Sequence, residues 1–216
     1  MSWRILTTPP LSGADNMRQD AEALSCVELG ESQPTLRFFR FKDPTLSFGR
    51  LQRREDITPL IPHGWAFVQR PTGGGIVFHK DDLCFSLCWK DGQAPLPNKP
   101  QDQYRWIHSV VLEALSTEFP ARMAIPPASS RRMTSLPGEQ GRMAVCGDVG
   151  TSPEPFSIRT CFQNPVGYDL LREQQKIVGG ALRCTRRATL YQGSLEIPDA
   201  QALEPRLRSA FQKALS

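Results

Sequence analysis

The chain has 216 residues, 39% of them hydrophobic and 22% charged, with a formal net charge of +4. That length and apolar share suit a single domain with a real core, and the mild, scattered charge excludes a dedicated nucleic-acid binder. No apolar run reaches the roughly 18 residues of a membrane span, and the opening MSWRILTTPP lacks the apolar core of a signal peptide.

These features predict a cytoplasmic protein whose cysteines, at 26, 84, 88, 146, 161 and 184, are reduced thiols. None forms a C-x-x-C pair, so no metal site is expected. The net charge favours an acidic protein partner, while Arg131-Arg132 and Arg186-Arg187 read as solvated surface.

In chain order, NMRQDAEALSCVE (16–28) spaces Met17, Ala21 and Leu24 as an amphipathic helix. LRFFRF (36–41) and TLSFGR (45–50) read as strands joined by the turn Lys42-Asp43-Pro44. WAFVQR (65–70), GIVFH (75–79) and LCFSLCW (83–89) are three more strands, and Pro95, Pro97 and Pro100 stiffen the loop that follows. Cys84 and Cys88 share one strand face and read as small core residues. The strongest helix signal is 102–119, where Tyr104, Ile107, Val111, Leu115 and Phe119 follow the 3.6 period. A polar, Pro- and Gly-rich loop is expected over 120–154. Strands are expected at 156–162, 175–184 and 188–197, and a closing helix carries Leu203, Leu207, Phe211 and Leu215. The order predicts one α/β (α+β) domain over 1–216, with a mixed, mainly antiparallel sheet flanked by helices.

The stretch QRPTGGGIVFHKDDLCFS (69–86) interrupts two strands with Gly73, Gly74 and Gly75. Glycine there marks either a hairpin turn or a place where a ligand meets bare backbone, and the run alone leaves both open. Gly179 and Gly180 pose the same question inside the strand expected at 175–184.

Four stretches together resemble the lipoate–protein ligase and octanoyltransferase family, which shares its fold with biotin ligases. They are NMRQDAEAL with Asp20, LRFFRFKDPTLSFGRLQ, RPTGGGIVFHKDDLCFS, and CFQNPVGYDLLREQQKIVGGALRCTRRATLYQGSL (161–195). A Gly-Arg-Gly-Arg motif of the biotin type is absent. Gln69 stands where the family usually has the first of two arginines.

The resemblance implies a biotin/lipoyl ligase-like fold with no accessory C-terminal domain. It also implies an acyl pocket lined by Arg70, Thr72, Gly73, Gly74, Gly75, His79, Gly179, Gly180 and Ala181, with Lys176 as the active-site lysine. Arg70 would add a fixed cation, and Lys176 would hold an acyl carbonyl or an adenylate phosphate. His79 is expected only to line the site.

Within the family, ligases activate lipoate with ATP, whereas octanoyltransferases take the acyl group from acyl carrier protein. One transferase branch holds that group on the cysteine of a Cys-Phe dipeptide, and Cys161-Phe162 stands fifteen residues before Lys176. A neighbouring ammonium that lowers a thiol pKa by about two units raises its thiolate roughly 25-fold at pH 7. The segment Lys80-Asp81-Asp82-Leu83 replaces the Asp-x-Gly-Asn that ligases tend to carry.

The expected function is therefore transfer of an octanoyl or lipoyl group through Cys161 and Lys176 without a cofactor. Its acceptors would be lipoyl domains of 2-oxoacid dehydrogenases or the glycine cleavage H protein. The alternatives are an ATP- and Mg-dependent lipoate–protein ligase and a non-catalytic acyl-binding relative.

Overall fold

The computed structural model describes residues 2–93, 95–115, 119–126 and 166–216. Ten strands are found among them: β1 (Arg4–Thr7), β2 (Thr35–Phe39), β3 (Thr45–Phe48), β4 (Ala66–Gln69), β5 (Val77–His79), β6 (Leu83–Lys90), β7 (Arg122–Met123), β8 (Leu170–Arg172), β9 (Gln175–Cys184) and β10 (Ala188–Leu195). The helices are α1 (Gly13–Leu29), the single turn α2 (Arg54–Ile57), α3 (Pro100–Leu115) and α4 (Glu204–Leu215).

The strands form a seven-stranded sheet in the order β1-β2-β6-β10-β9-β8-β7 and a three-stranded sheet in the order β4-β3-β5. Only β1–β2 and β3–β4 pair in parallel, so the mixed, mainly antiparallel expectation holds.

Each face of the large sheet is covered, which explains why β6 is buried at every position but its last. Alternation along β6 sends Leu83, Phe85, Leu87 and Trp89 into the core beneath α3 and α4, with Ile107, Val111, Leu207 and Phe211. Fully burying such a side chain contributes about 1.5–3 kcal/mol. The other face meets α1: Cys84 packs with Met17, Phe39 and Phe41, and Cys88 with Leu24 and Val27. This second face also carries the polar Ser86 between the two thiols, and it is the face that builds the site.

Helix α1 is cut at both ends by local chemistry. The Ser12 hydroxyl caps the Asp15 N–H at 3.1 Å. Gly30, at φ 78°, takes the left-handed conformation, and its N–H and that of Glu31 return to the carbonyls of Val27 and Cys26.

The strands expected at 36–41, 45–50, 65–70, 75–79, 83–89, 175–184 and 188–197 are all present with slightly moved ends. Strands β1, β7 and β8 were not foreseen, because two to four residues are too few to show a period. The strand expected at 156–162, and the loop from 127 onward, lie outside the described residues. Of the expected loop's first part, Arg122–Met123 is a strand paired with β8. Among the described residues no helix is long and apolar enough to cross a membrane.

Candidate active site

The sheet register sets out the site. Phe39 pairs with Cys84, Cys84 with Ser194, and Ser194 with Gly179, which makes a line across four strands. One step along, Arg37, Ser86, Gln192 and Ala181 make a second line. Above these lines, toward α1 and the small sheet, lies a narrow pocket, partly open to solvent. Met17, Phe39, Phe41 and Val77 give it apolar walls, while Arg70, His79, Lys176 and Ser194 bring polar atoms to it. A mostly apolar cleft with a few convergent polar groups is the usual form of a small-molecule site.

The glycine run is not a hairpin turn. β4 and β5 lie on opposite sides of β3 and do not pair with each other, so residues 70–76 cross over the end of β3. Two features need glycine there. Gly74 has φ 95°. A Cβ on Gly49 would lie 2.1 Å from the Gly74 carbonyl oxygen, so the two backbones touch.

Two buried chains of hydrogen bonds hold this crossover. In the first, Arg70 donates from Nη1 to the Ser47 carbonyl and hydroxyl, and from Nη2 to the carbonyls of Gly73 and Gly75 at 2.9 and 2.8 Å. The Ser47 hydroxyl is 2.7 Å from His79 Nε2, and His79 Nδ1 is 2.7 Å from Asp82 Oδ2. The His79 ring stacks on Phe41 at 4.2 Å. In the second chain, the Thr72 hydroxyl donates to Gln192 Oε1 at 2.7 Å, and Gln192 Nε2 donates to Asp20 Oδ2 at 2.6 Å. Asp20 is in turn paired with Arg37 at 2.8 Å and accepts from Ser86.

Burial raises the Asp82 carboxyl, but the charge and hydrogen bond of His79, with bonds from Ser194 and Cys84, outweigh it and hold the group below its ordinary range. The Cys84 thiol donates to Asp82 at 3.1 Å. Burial, then the Asp82 charge, push that thiol far above its ordinary value, so it stays protonated and is no nucleophile. The sequence reading of Cys84 as mere core packing missed this hydrogen bond. His79, Asp82 and Cys84 also form a grouping of metal-ligating types, with donor atoms within 4.8 Å of one another. Each donor is engaged with another of the three, so an ion entering there would have to displace those bonds.

Lys176 is buried at the other side of the pocket, with Nζ 2.9 Å from Asp169 Oδ2. Its chain lies over Gly179, where a Cβ would stand 2.0 Å from Lys176 Cε. On the opposite face of the sheet, the Tyr191 ring fills the space over Gly180 and Gly193. The two glycines expected to admit a ligand thus admit the lysine and a tyrosine ring, although Gly179 and Gly180 still line the pocket.

Behind them, His108 is fully buried, and its Nδ1 faces the Tyr168 carbonyl at 2.7 Å. A carbonyl only accepts, so Nδ1 carries the proton and Nε2 accepts from the Tyr191 hydroxyl at 2.7 Å. Burial, then the Lys176 charge, lower the His108 pKa to about 3. Burial, then the Asp82 charge, raise Glu196 to about 7 against the opposing pull of Lys176.

Of the residues expected from sequence, the pocket brings together Arg70, His79, Lys176, Gly179, Gly180 and Ala181. Thr72, Gly73, Gly74 and Gly75 are not among its lining residues and belong to the crossover that Arg70 ties down. Cys161 lies outside the described residues. Sequence reasoning missed Ser47, Asp82, Asp169, Gln192 and Ser194. A usable signal existed for two of them: Gln192 and Ser194 are polar residues at alternate positions in a strand otherwise fit for a core.

The comparisons with known proteins agree with this architecture. A model of the lipoyl protein ligase A/B catalytic domain matches residues 12–204. The chain belongs to the lipoyl protein ligase A/B catalytic domain family. Within that family it is 31% identical to octanoyltransferase LipM of Kyrpidia tusciae over 212 residues, covering 96% of this chain and 70% of that one. It is 29% identical to octanoyltransferase LipM of Staphylococcus aureus over 198 residues, covering 90% and 65%. The chain therefore spans about two thirds of the length of these curated relatives. Protein Ta0514 of T. acidophilum, solved with bound lipoic acid, superposes with a TM-score of 0.64 at 16% identity, over 100% of this chain and 86% of that one. A lipoate-protein ligase A bound with ATP superposes with a TM-score of 0.58 at 19% identity, over 99% and 84%. At these identities the two structures establish the lipoyl-ligase fold.

Proposed function

We propose that this chain is an octanoyltransferase that moves an octanoyl group from acyl carrier protein to the lysine of a lipoyl domain. The observation that carries the reading is the Lys176 amine, buried and ion-paired at the wall of an apolar pocket. The likeness to LipM octanoyltransferases over most of the chain supports the choice of acyl group.

In the first step the Cys161 thiolate attacks the thioester carbonyl. The new carbon–sulfur bond forms, the bond to the carrier sulfur breaks, and the carrier leaves as a thiolate that takes a proton from water. Lys176 steadies the negative oxygen of the tetrahedral intermediate. In the second step the ε-amine of the acceptor lysine attacks the thioacyl group. The amide forms, the amine proton passes to water, and the Cys161 thiolate is released. The role of Cys161 rests on the Cys161-Phe162 dipeptide and its spacing from Lys176 in the sequence. No cofactor is needed, because the thioester arrives activated. The acceptors are lipoyl domains of 2-oxoacid dehydrogenases or the glycine cleavage H protein.

The test gives the protein an apo lipoyl domain with either octanoyl-carrier protein alone, or octanoate or lipoate with ATP and Mg. Product in the first mixture only, with one octanoyl mass added to the enzyme and lost in Cys161→Ser, is the expected result. Product in the second only would make the protein a lipoate ligase, and product in neither would make it an acyl-binding relative.

A further inference from the structure

We infer that Asp169 is the positioning residue for Lys176: it fixes where the ammonium sits against the reacting carbonyl, an inference that rests on the role proposed above for Lys176. Asp169 is fully buried, a costly place for a carboxylate unless its oxygens are filled. They are filled by three donors from three directions. The Tyr104 hydroxyl donates to Oδ1 at 2.5 Å from α3. The Val166 N–H donates to Oδ2 at 2.7 Å, and the Asp169 N–H returns to the Val166 carbonyl. Lys176 Nζ from β9 completes the set at 2.9 Å.

Tyr104 extends the frame to the strand that carries the lysine, because its oxygen accepts the Gly180 N–H at 3.1 Å. Burial, then the Asp169 charge, keep the Tyr104 phenol protonated far past its usual range, so this donor is permanent. Lysine has a flexible four-carbon stem and no fixed donor geometry, unlike arginine. Here the stem is laid over Gly179 and the ammonium is pinned at its end by Asp169. Electrostatic help to an oxyanion depends on donors already in place, so a lysine free to swing would lose much of its effect.

The experiment is a double-mutant cycle in octanoyl transfer, using Asp169→Asn, Lys176→Ala and the pair together, with thermal unfolding of each protein. Asp169→Asn should lower kcat on the order of 100-fold with KM within about threefold, as for loss of a preorganised donor. In the Lys176→Ala background the same change should cost less than about threefold, because Asp169 then has nothing to position. A kcat for Asp169→Asn near wild type overturns the inference. So does a full second loss in the Lys176→Ala background, which would make Asp169 a purely structural residue. Near-normal activity of Lys176→Ala overturns the lysine's role itself, and with it this inference. If Asp169→Asn does not fold, Asp169→Glu keeps the charge and shifts its place by one methylene. Loss of at least tenfold in kcat at a temperature well below its unfolding transition is then expected, and full activity would sink the idea.

Discussion

The Arg70 guanidinium and Ser47 are joined twice, with Nη1 donating to the Ser47 carbonyl at 3.0 Å and to its hydroxyl at 2.9 Å. The second amino nitrogen reaches the Gly73 and Gly75 carbonyls, so one planar fork spans β3 and the glycine crossover. A lysine has three donors on one nitrogen and cannot span both sides. Arg70→Lys should therefore fold but lose about 10–100-fold in kcat/KM for the acyl donor, or about 1.4–2.8 kcal/mol. Steady-state rates together with a thermal melt measure this. A kcat/KM within twofold of wild type would show that the crossover holds its shape without the fork.

A buried neutral histidine makes stability depend on pH. His108 has a native pKa near 3, against about 6.5 in an unfolded chain. Between these values the unfolded state binds a proton that the native state refuses. The contribution is thus complete above about pH 6.5 and is lost as pH falls toward 3, at up to about 1.4 kcal/mol per pH unit. Urea unfolding at several pH values should show a shallower acid limb for His108→Gln than for wild type. Parallel limbs would mean that His108 is charged in the native protein.

Glu196 works in the opposite direction. Its native pKa of about 7 lies above the ordinary 4.5, so the native state holds a proton that the unfolded state releases. That contribution is present below about pH 4.5 and disappears as pH rises through 7. Glu196→Gln should gain stability relative to wild type between pH 5 and pH 8, by less than about 1 kcal/mol because the group is half open to water. A constant difference across that range would contradict the raised pKa.

The distribution of polar residues decided what could be foreseen. Strands such as β6, β9 and β10 were legible because eight to ten residues display a face. Arg70, His79 and Lys176 were legible because each sits in a motif whose spacing is distinctive. Asp169 was not, since nothing near it in sequence shows that Tyr104, 65 residues earlier, donates to it. Gln192 was hidden in the same way: its partners Thr72 and Asp20 are 120 and 172 residues away. The role expected of Gly73, Gly74 and Gly75 shifted for a topological reason. Only the pairing of both β4 and β5 with β3 shows that the run is a crossover held by its carbonyls.

Gly179 and Gly180 are adjacent, and the same substitution at each should fail in a different way. A Cβ at Gly179 would lie 2.0 Å from Cε and 2.4 Å from Nζ of Lys176, the far end of a flexible side chain. The lysine can swing aside, but it then leaves Asp169 and the pocket, and the buried carboxylate loses one of its donors. A Cβ at Gly180 would lie 2.3–2.6 Å from the Tyr191 hydroxyl and ring, which are fully buried and bonded to His108. That ring has no room to move in a close-packed core, and overpacking of this kind costs about 1–3 kcal/mol. Gly179→Ala should therefore lose about 100-fold in kcat, close to Lys176→Ala, with a stability loss no larger than that of Lys176→Ala, which takes the same donor from Asp169. Gly180→Ala should lose stability first, with its Tm lowered by about 3–10 °C. Paired melts and initial rates on the two proteins decide the matter. An active Gly179→Ala protein would mean that the position of Lys176 over Gly179 is not the one used in the reaction.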